Sequence, residues 1–108
     1  MPYINLRTNI KVEDKKAIHD KLGEAITIIP NKSLARTMIC IEDAKFLTFG
    51  GSCEPCAYVE TWVNAGTNHS CNKAYGDAVI DAVAEVLQIP ASRVYVNVDE
   101  KLDWFSRG

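Results

Sequence analysis

The chain has 108 residues, one domain's worth, and its 47% hydrophobic and 24% charged content is globular rather than disordered. Its 12 Lys+Arg stand against 14 Asp+Glu for a net charge of -2, with no basic run to track a phosphate backbone, so no nucleic-acid partner is expected. No apolar stretch approaches the roughly 18 residues of a membrane span.

Residues 2–7 alternate, with Pro2, Ile4 and Leu6 on one face and Tyr3, Asn5 and Arg7 on the other, which predicts a strand. From Val12 to about Ile28 the apolar residues Ile18, Leu22, Ala25, Ile26 and Ile29 draw one helical stripe opposite a wet side of Lys and Asp. Pro30 follows closely, where its ring cannot continue a helix. Residues 37–42 read as a mostly buried strand, and Gly50-Gly51-Ser52, bounded by Pro55, is the clearest break. Residues 57–63 read as a second mostly buried strand. A second helix runs from about Ser70 to Leu87, its stripe of Tyr75, Ala78, Val79, Ala82, Val83 and Val86 wide enough to lie on a sheet. Pro90 again follows. Residues 93–98 place Val94, Val96 and Val98 on one face and Tyr95 and Asn97 on the other.

The halves echo each other. Thr8-Asn9 and Thr67-Asn68 are offset by 59, and Ile29-Pro30 and Ile89-Pro90 by 60. A nearly constant offset favours internal duplication, with pseudo-repeats of about 1–50 and 51–108 inside one domain spanning residues 1–108. The fold class expected is α+β: two βαβ units with right-handed crossovers, forming one four-stranded mixed sheet with both helices on one face. The other face is expected to hold apolar side chains and to be covered by further copies of the chain. A small chain buries only about two-thirds of the surface its unfolded form exposes, so a shared core would help.

The N-terminal residues lack the basic start and apolar run of a signal peptide, so the expected compartment is the cytoplasm, and Cys40, Cys53, Cys56 and Cys71 are expected to be free thiols. Cys53-Glu54-Pro55-Cys56 runs into a strand, without the helix N-terminus that stabilises a redox thiolate. Zinc would need a second ligand pair, and Cys40 and Cys71 stand singly, so turn and core cysteines are the simpler reading. His19 and His69 lack the paired spacing of a metal site, the carboxylates are scattered, and there is no Gly-rich phosphate loop. No metal and no cofactor is expected.

Pro2 is the unusual candidate. Aminopeptidases generally remove Met1 before proline, leaving a secondary amine whose pKa of roughly 8 falls on desolvation or beside a cation. Pro2 lies on the apolar face, and Lys32 leads into the second strand, whose start shares an end of the sheet with the first. Both terms would favour a neutral base near pH 7. Taken alone, these residues are explained more simply by a proline tolerated at a strand start, its amine protonated and wet.

A resemblance changes that balance. Met1-Pro2 with Thr8-Asn9, Lys32, Phe49-Gly50-Gly51-Ser52, Glu54-Pro55-Cys56-Ala57, Asn72-Lys73 and Arg93-Val94-Tyr95-Val96-Asn97 resemble the tautomerase superfamily, in particular its macrophage migration inhibitory factor group, over about residues 1–98. The resemblance implies a homotrimeric barrel with sites between subunits and cofactor-free keto-enol tautomerisation of small 2-oxo acids such as phenylpyruvate. It also implies Pro2 as acid-base catalyst and Lys32 on the substrate's carboxylate or oxo oxygen. Asn64 takes the position whose backbone touches substrate, and Tyr95 and Asn97 come from a neighbouring subunit. Trp104 and Phe105 supply an apolar lid. Arg36 stands where the mammalian proteins carry an aromatic ring, which favours a second acidic group on the substrate. The alternatives are a cytokine-like binding protein with vestigial activity, released without a leader and engaging a receptor, or a hydratase, dehalogenase or decarboxylase on the same scaffold.

Overall fold

A computed structural model describes residues 1–108. β1 (Tyr3–Thr8), β2 (Met38–Glu42), β3 (Ala57–Asn64) and β4 (Val94–Lys101) form one sheet in the order β2-β1-β3-β4. The outer pairs are parallel and the central β1–β3 pair is antiparallel, with Tyr3 opposite Trp62 and Thr8 opposite Ala57. α1 (Lys15–Ala25) connects β1 to β2 and α2 (His69–Leu87) connects β3 to β4. The two helices pack on each other and share one core with Ile4, Leu6, Val59 and Val63 of the central strands. Neither helix is long and apolar enough to cross a membrane.

α1 begins at Lys15 rather than near Val12. The Val12 N–H is taken by Asp43 Oδ2 at 2.9 Å, which ties that residue to the loop after β2, and Asp14 caps the helix by accepting from Ala17 N–H at 3.1 Å. Its C-terminal end tightens into a 3₁₀ turn over Ile26–Ile28 before Pro30. α2 is capped by Asn68, whose Oδ1 accepts from Ser70 N–H at 2.8 Å, and it ends at Gln88 in the left-handed region (φ 56°). Thr8-Asn9 and Thr67-Asn68 therefore do different work. Asn68 caps a helix, whereas Asn9 Nδ2 donates to the carbonyls of Leu47, Cys53 and Glu54 and its Oδ1 accepts from Cys56 N–H at 3.0 Å.

Three burial expectations need correction. β2 is an edge strand with no fully buried residue, because only its inner neighbour pairs with it and only Ile39 and Ile41 reach the helix side. β3 alternates, with Ala57, Val59, Thr61 and Val63 buried and Tyr58, Glu60, Trp62 and Asn64 on the opposite face. With Tyr3, Asn5 and Arg7 of β1 and Tyr95 and Asn97 of β4 in register, that open face mixes aromatic, polar and charged groups rather than being apolar. The strongly exposed apolar side chains lie at the sheet edges and in the loops and tail instead: Met38, Phe46, Leu102 and Phe105. β4 also runs three residues beyond the expected end, to Lys101, in register with Asn64.

One polar pair is sealed in the core: the Thr61 and Tyr75 hydroxyls lie 2.8 Å apart, and burial holds the Tyr75 phenol well above its ordinary range. Replacing Tyr75 by Phe strands the Thr61 hydroxyl and should cost about 1–3 kcal/mol in urea unfolding. Adding Thr61→Val, which removes the stranded hydroxyl, should return part of the loss. A Tyr75→Phe protein with an unchanged urea midpoint would show the bond contributes nothing.

Candidate active site

The head of β1 is held where the parallel start of β2 meets it: Met38 N–H donates to the Pro2 carbonyl at 3.1 Å. Pro2 is buried. The chain leaving α1 turns through Asn31 in the left-handed region (φ 67°), and Lys32 N–H closes the turn on the Ile29 carbonyl at 3.2 Å. A second 3₁₀ turn, Leu34–Arg36, then leads into β2. Gly23 on α1 lets this turn approach, since a Cβ there would lie 3.0 Å from Leu34 Cδ1.

These segments border a cleft of about 380 Å³ lined by Met1, Pro2, Arg36, Met38, Trp104 and Phe105, with Thr37 and Ser106 at its polar parts. Trp104 is fixed by an edge-on contact with Trp62 (6.0 Å between centroids), and Trp62 in turn packs on Tyr3 at 5.5 Å. Lys101 Nζ lies 4.7 Å from the Trp62 centroid. The lid residues thus differ: Trp104 is anchored, while Phe105 borders the cleft but is largely exposed. Trp62 was not among the residues expected here. The signal was present in its alternation with Tyr58 and Glu60, but its pairing with Tyr3 depends on the antiparallel register.

The amine end is electrostatically distinctive. Met1 N donates to Asn64 Oδ1 at 2.9 Å, so in this chain the Asn64 side chain faces the terminus. Burial pushes the α-amine below its ordinary value, and the Lys32 and Arg36 cations lower it further. One nitrogen therefore sits where both causes of a depressed amine pKa act, and the Pro2 nitrogen is the next one along the chain.

Tyr95 and Asn97 lie elsewhere. Tyr95 is level with Tyr58 and, through it, with Arg7; Asn97 is level with Glu60 and Asn5. At about 3.3 Å per residue they are roughly 17 Å and 10 Å from Pro2 along the strands, and two strands across. No single chain brings them to the amine. Tyr95 instead packs on Phe49 (5.0 Å) at the rim of a hollow of about 470 Å³ bordered by Leu47, Cys56 and Tyr58.

That far end is braced by Arg93. Its Nε donates to the Pro55 carbonyl at 2.9 Å, its Nη atoms reach the carbonyls of Phe49, Ser52 and Glu54, and its guanidinium lies over the Phe49 ring. Gly50 and Gly51 take positive φ (60° and 79°) so that Phe49 and Ser52 can pair across a tight hairpin. Cys53 is exposed and Cys56 buried in this braced loop, both as free thiols.

A four-stranded mixed sheet made of two βαβ halves, with both helices packed together against it, is the architecture of the tautomerase fold. A family model described as Macrophage migration inhibitory factor (MIF) matches residues 1–103. The macrophage migration inhibitory factor of Xenopus laevis is 29% identical over 100 residues, covering 90% of this chain and 85% of that protein. The homolog from Trichinella spiralis is also 29% identical, over 90% of this chain and 86% of its own length. Among solved structures, that of Leishmania major MIF2 superposes with a TM-score of 0.89 at 23% identity, covering 100% of this chain and 95% of that one. The homologue from Prochlorococcus marinus superposes with a TM-score of 0.78 at 24% identity, over 93% and 89% of the two chains. The chain belongs to the macrophage migration inhibitory factor family, whose proteins are generally tautomerase-type isomerases.

Proposed function

We propose that the chain is a cofactor-free keto-enol tautomerase of small 2-oxo acids such as phenylpyruvate, working as a homotrimer with the Pro2 nitrogen, freed by loss of Met1, as its base. The observation that carries this reading is the buried Pro2 at the head of β1, directly after a Met1 amine that partial burial and the Lys32 and Arg36 cations hold below its ordinary pKa. A neutral amine accepts the proton on C3 of the 2-oxo acid, and the electron pair of that C–H bond moves through C2 to the carbonyl oxygen. The same nitrogen then returns its proton to that oxygen, giving the enol, so atoms and charge balance. Lys32 holds the carboxylate or the oxo oxygen, Trp104 keeps bulk water off the nitrogen, and Asn64, released from Met1, is free to meet substrate.

The separation of Tyr95 and Asn97 from Pro2 supports a site completed between copies, as do the exposed Met38 and Tyr95 on the two edge strands. In the trimer, a neighbour's Tyr95 and Asn97 face the Pro2 cleft and donate hydrogen bonds where negative charge develops.

Enolisation of phenylpyruvate by untagged protein tests the reading: turnover should be measurable and should fall in Pro2→Gly. Negligible turnover, unchanged in Pro2→Gly, favours a binding protein that keeps the fold. Lys32→Ala should raise KM about tenfold or more for carboxylated substrates by removing a charge-assisted contact. A collapse of kcat at unchanged KM would place Lys32 on the transition state instead.

A further inference from the structure

The chain's 12 cationic side chains are not distributed evenly between engaged and free. Arg7 pairs with Glu42, Lys15 with Asp43, Lys16 with Asp20, Lys73 with Asp77 and Lys101 with Asp99. Lys11, Lys21 and Lys45 also face carboxylates, and Arg93 is spent on backbone carbonyls. Three remain without an ion pair or a side-chain hydrogen bond: Lys32, Arg36 and Arg107. All three belong to the same end of the molecule. Arg36 lines the Pro2 cleft, Arg107 lies between two tail residues, Ser106 and Gly108, that line it, and Lys32 acts on the amine from the preceding turn. No Asp or Glu side chain borders the cleft.

One unpaired cation on the wall of a hollow without carboxylates, with the other two on segments beside it and every other cation satisfied, describes a site whose counter-charge arrives with the ligand. A simple 2-oxo monoacid brings one carboxylate, which Lys32 alone can neutralise. Arg36 is then left over. Its guanidinium is a planar fork matched to a second carboxylate, and its position on the 3₁₀ turn sets it on the cleft wall, within electrostatic reach of the amine. We infer that the site is selective for acids with a carboxylate at each end, a 2-oxo dicarboxylate in the reaction, with Lys32 on one end and Arg36 on the other. The inference rests on the tautomerase reading for its reaction but not for its binding. The rival use of Arg36 is to steady the enolate oxygen of a monoacid, which would give it no preference among ligands that cannot enolise.

Succinate and butyrate separate the two uses, because they have the same chain length, differ by one carboxylate and carry no oxo group. Calorimetric titration of untagged protein at low salt should show succinate binding about tenfold or more tighter than butyrate, an advantage that shrinks as salt is raised. Arg36→Gln should bring the two acids to within about twofold of each other, and Arg36→Lys, which keeps the charge but not the fork, should recover part of the preference. Equal affinities in the unmodified protein would overturn the inference. So would a preference that survives in an Arg36→Gln protein with an unchanged melting temperature. Phenylpyruvate enolisation measured on the same samples keeps the questions apart. A succinate preference without turnover supports the dianion site while removing the proposed reaction. Turnover without the preference leaves the reaction standing and removes this inference.

Discussion

A few extra residues ahead of Pro2 should abolish tautomerase turnover while leaving the fold intact. The nitrogen would become an amide, whose lone pair is delocalised into the carbonyl and cannot take a proton from carbon near neutrality. Positioned acid-base groups contribute about 10²–10⁴-fold, so the loss should be at least about 100-fold. The sheet does not depend on that nitrogen, since the hydrogen bond anchoring the head of β1 uses the Pro2 carbonyl and Met38 N–H. Melting temperature should therefore change little. Enolisation of phenylpyruvate by matched extended and unextended proteins checks this, and full activity in the extended form would remove Pro2 from the mechanism. Protein retaining Met1 should behave in the same way, because its terminal amine is displaced by one residue and tied to Asn64 Oδ1 at 2.9 Å.

Mixing two inactive proteins should restore activity if the site is shared. One carries the extension ahead of Pro2; the other carries Tyr95→Phe with Asn97→Ala. Each alone lacks one side of every site. After unfolding and refolding together in equal amounts, a site works only when its Pro2 and its Tyr95–Asn97 pair come from the intact side of different chains. Random assembly makes that about a quarter of the sites in a cyclic trimer. Recovery near that fraction would support the intersubunit arrangement. No recovery, with trimers re-formed, would mean that Tyr95 and Asn97 serve the chain they belong to, roughly 17 Å and 10 Å along the strands from its own Pro2.

Periodicity made the order of elements readable, because each carries its own signal: the helical stripes through Ile18 and Leu22 and through Val79 and Val83, the alternation around Val94 and Val96, and Gly50-Gly51 between the halves. Boundaries were less readable, because they depend on partners far along the chain. Val12 is outside α1 because of Asp43, and β4 continues to Lys101 because Asn64 pairs with it. Burial was least readable. Met-Ile-Cys-Ile-Glu looks like an interior strand, yet β2 lies at the edge, and strand order is a property of the whole sheet. Asn5 is the converse: polar in sequence, it is buried, with Nδ2 donating to Glu42 Oε2 at 2.9 Å.

The candidate site divides in the same way. Alternation and the parallel βαβ geometry were enough to bring Pro2 and Lys32 to one end of the sheet, and family resemblance added Asn64, Arg36 and Trp104 around them. What one chain cannot hold together, Tyr95 and Asn97 with Pro2, follows from registers that pass through β3 to β1. The Trp62 support for Trp104 and the Arg93 brace behind Phe49 and Tyr95 arise from contacts between segments distant in sequence.

Titration of the terminal amine, followed by nitrogen NMR on untagged protein labelled at proline, tests the central claim most directly. The pKa should lie below the ordinary value of about 8, and kcat/KM should rise with pH through that same lowered value, since the neutral amine is the active form. Lys32→Ala and Arg36→Gln should each move it upward, because each removes a cation that disfavours protonation. An amine that titrates at the ordinary value, unmoved by either substitution, would contradict the account.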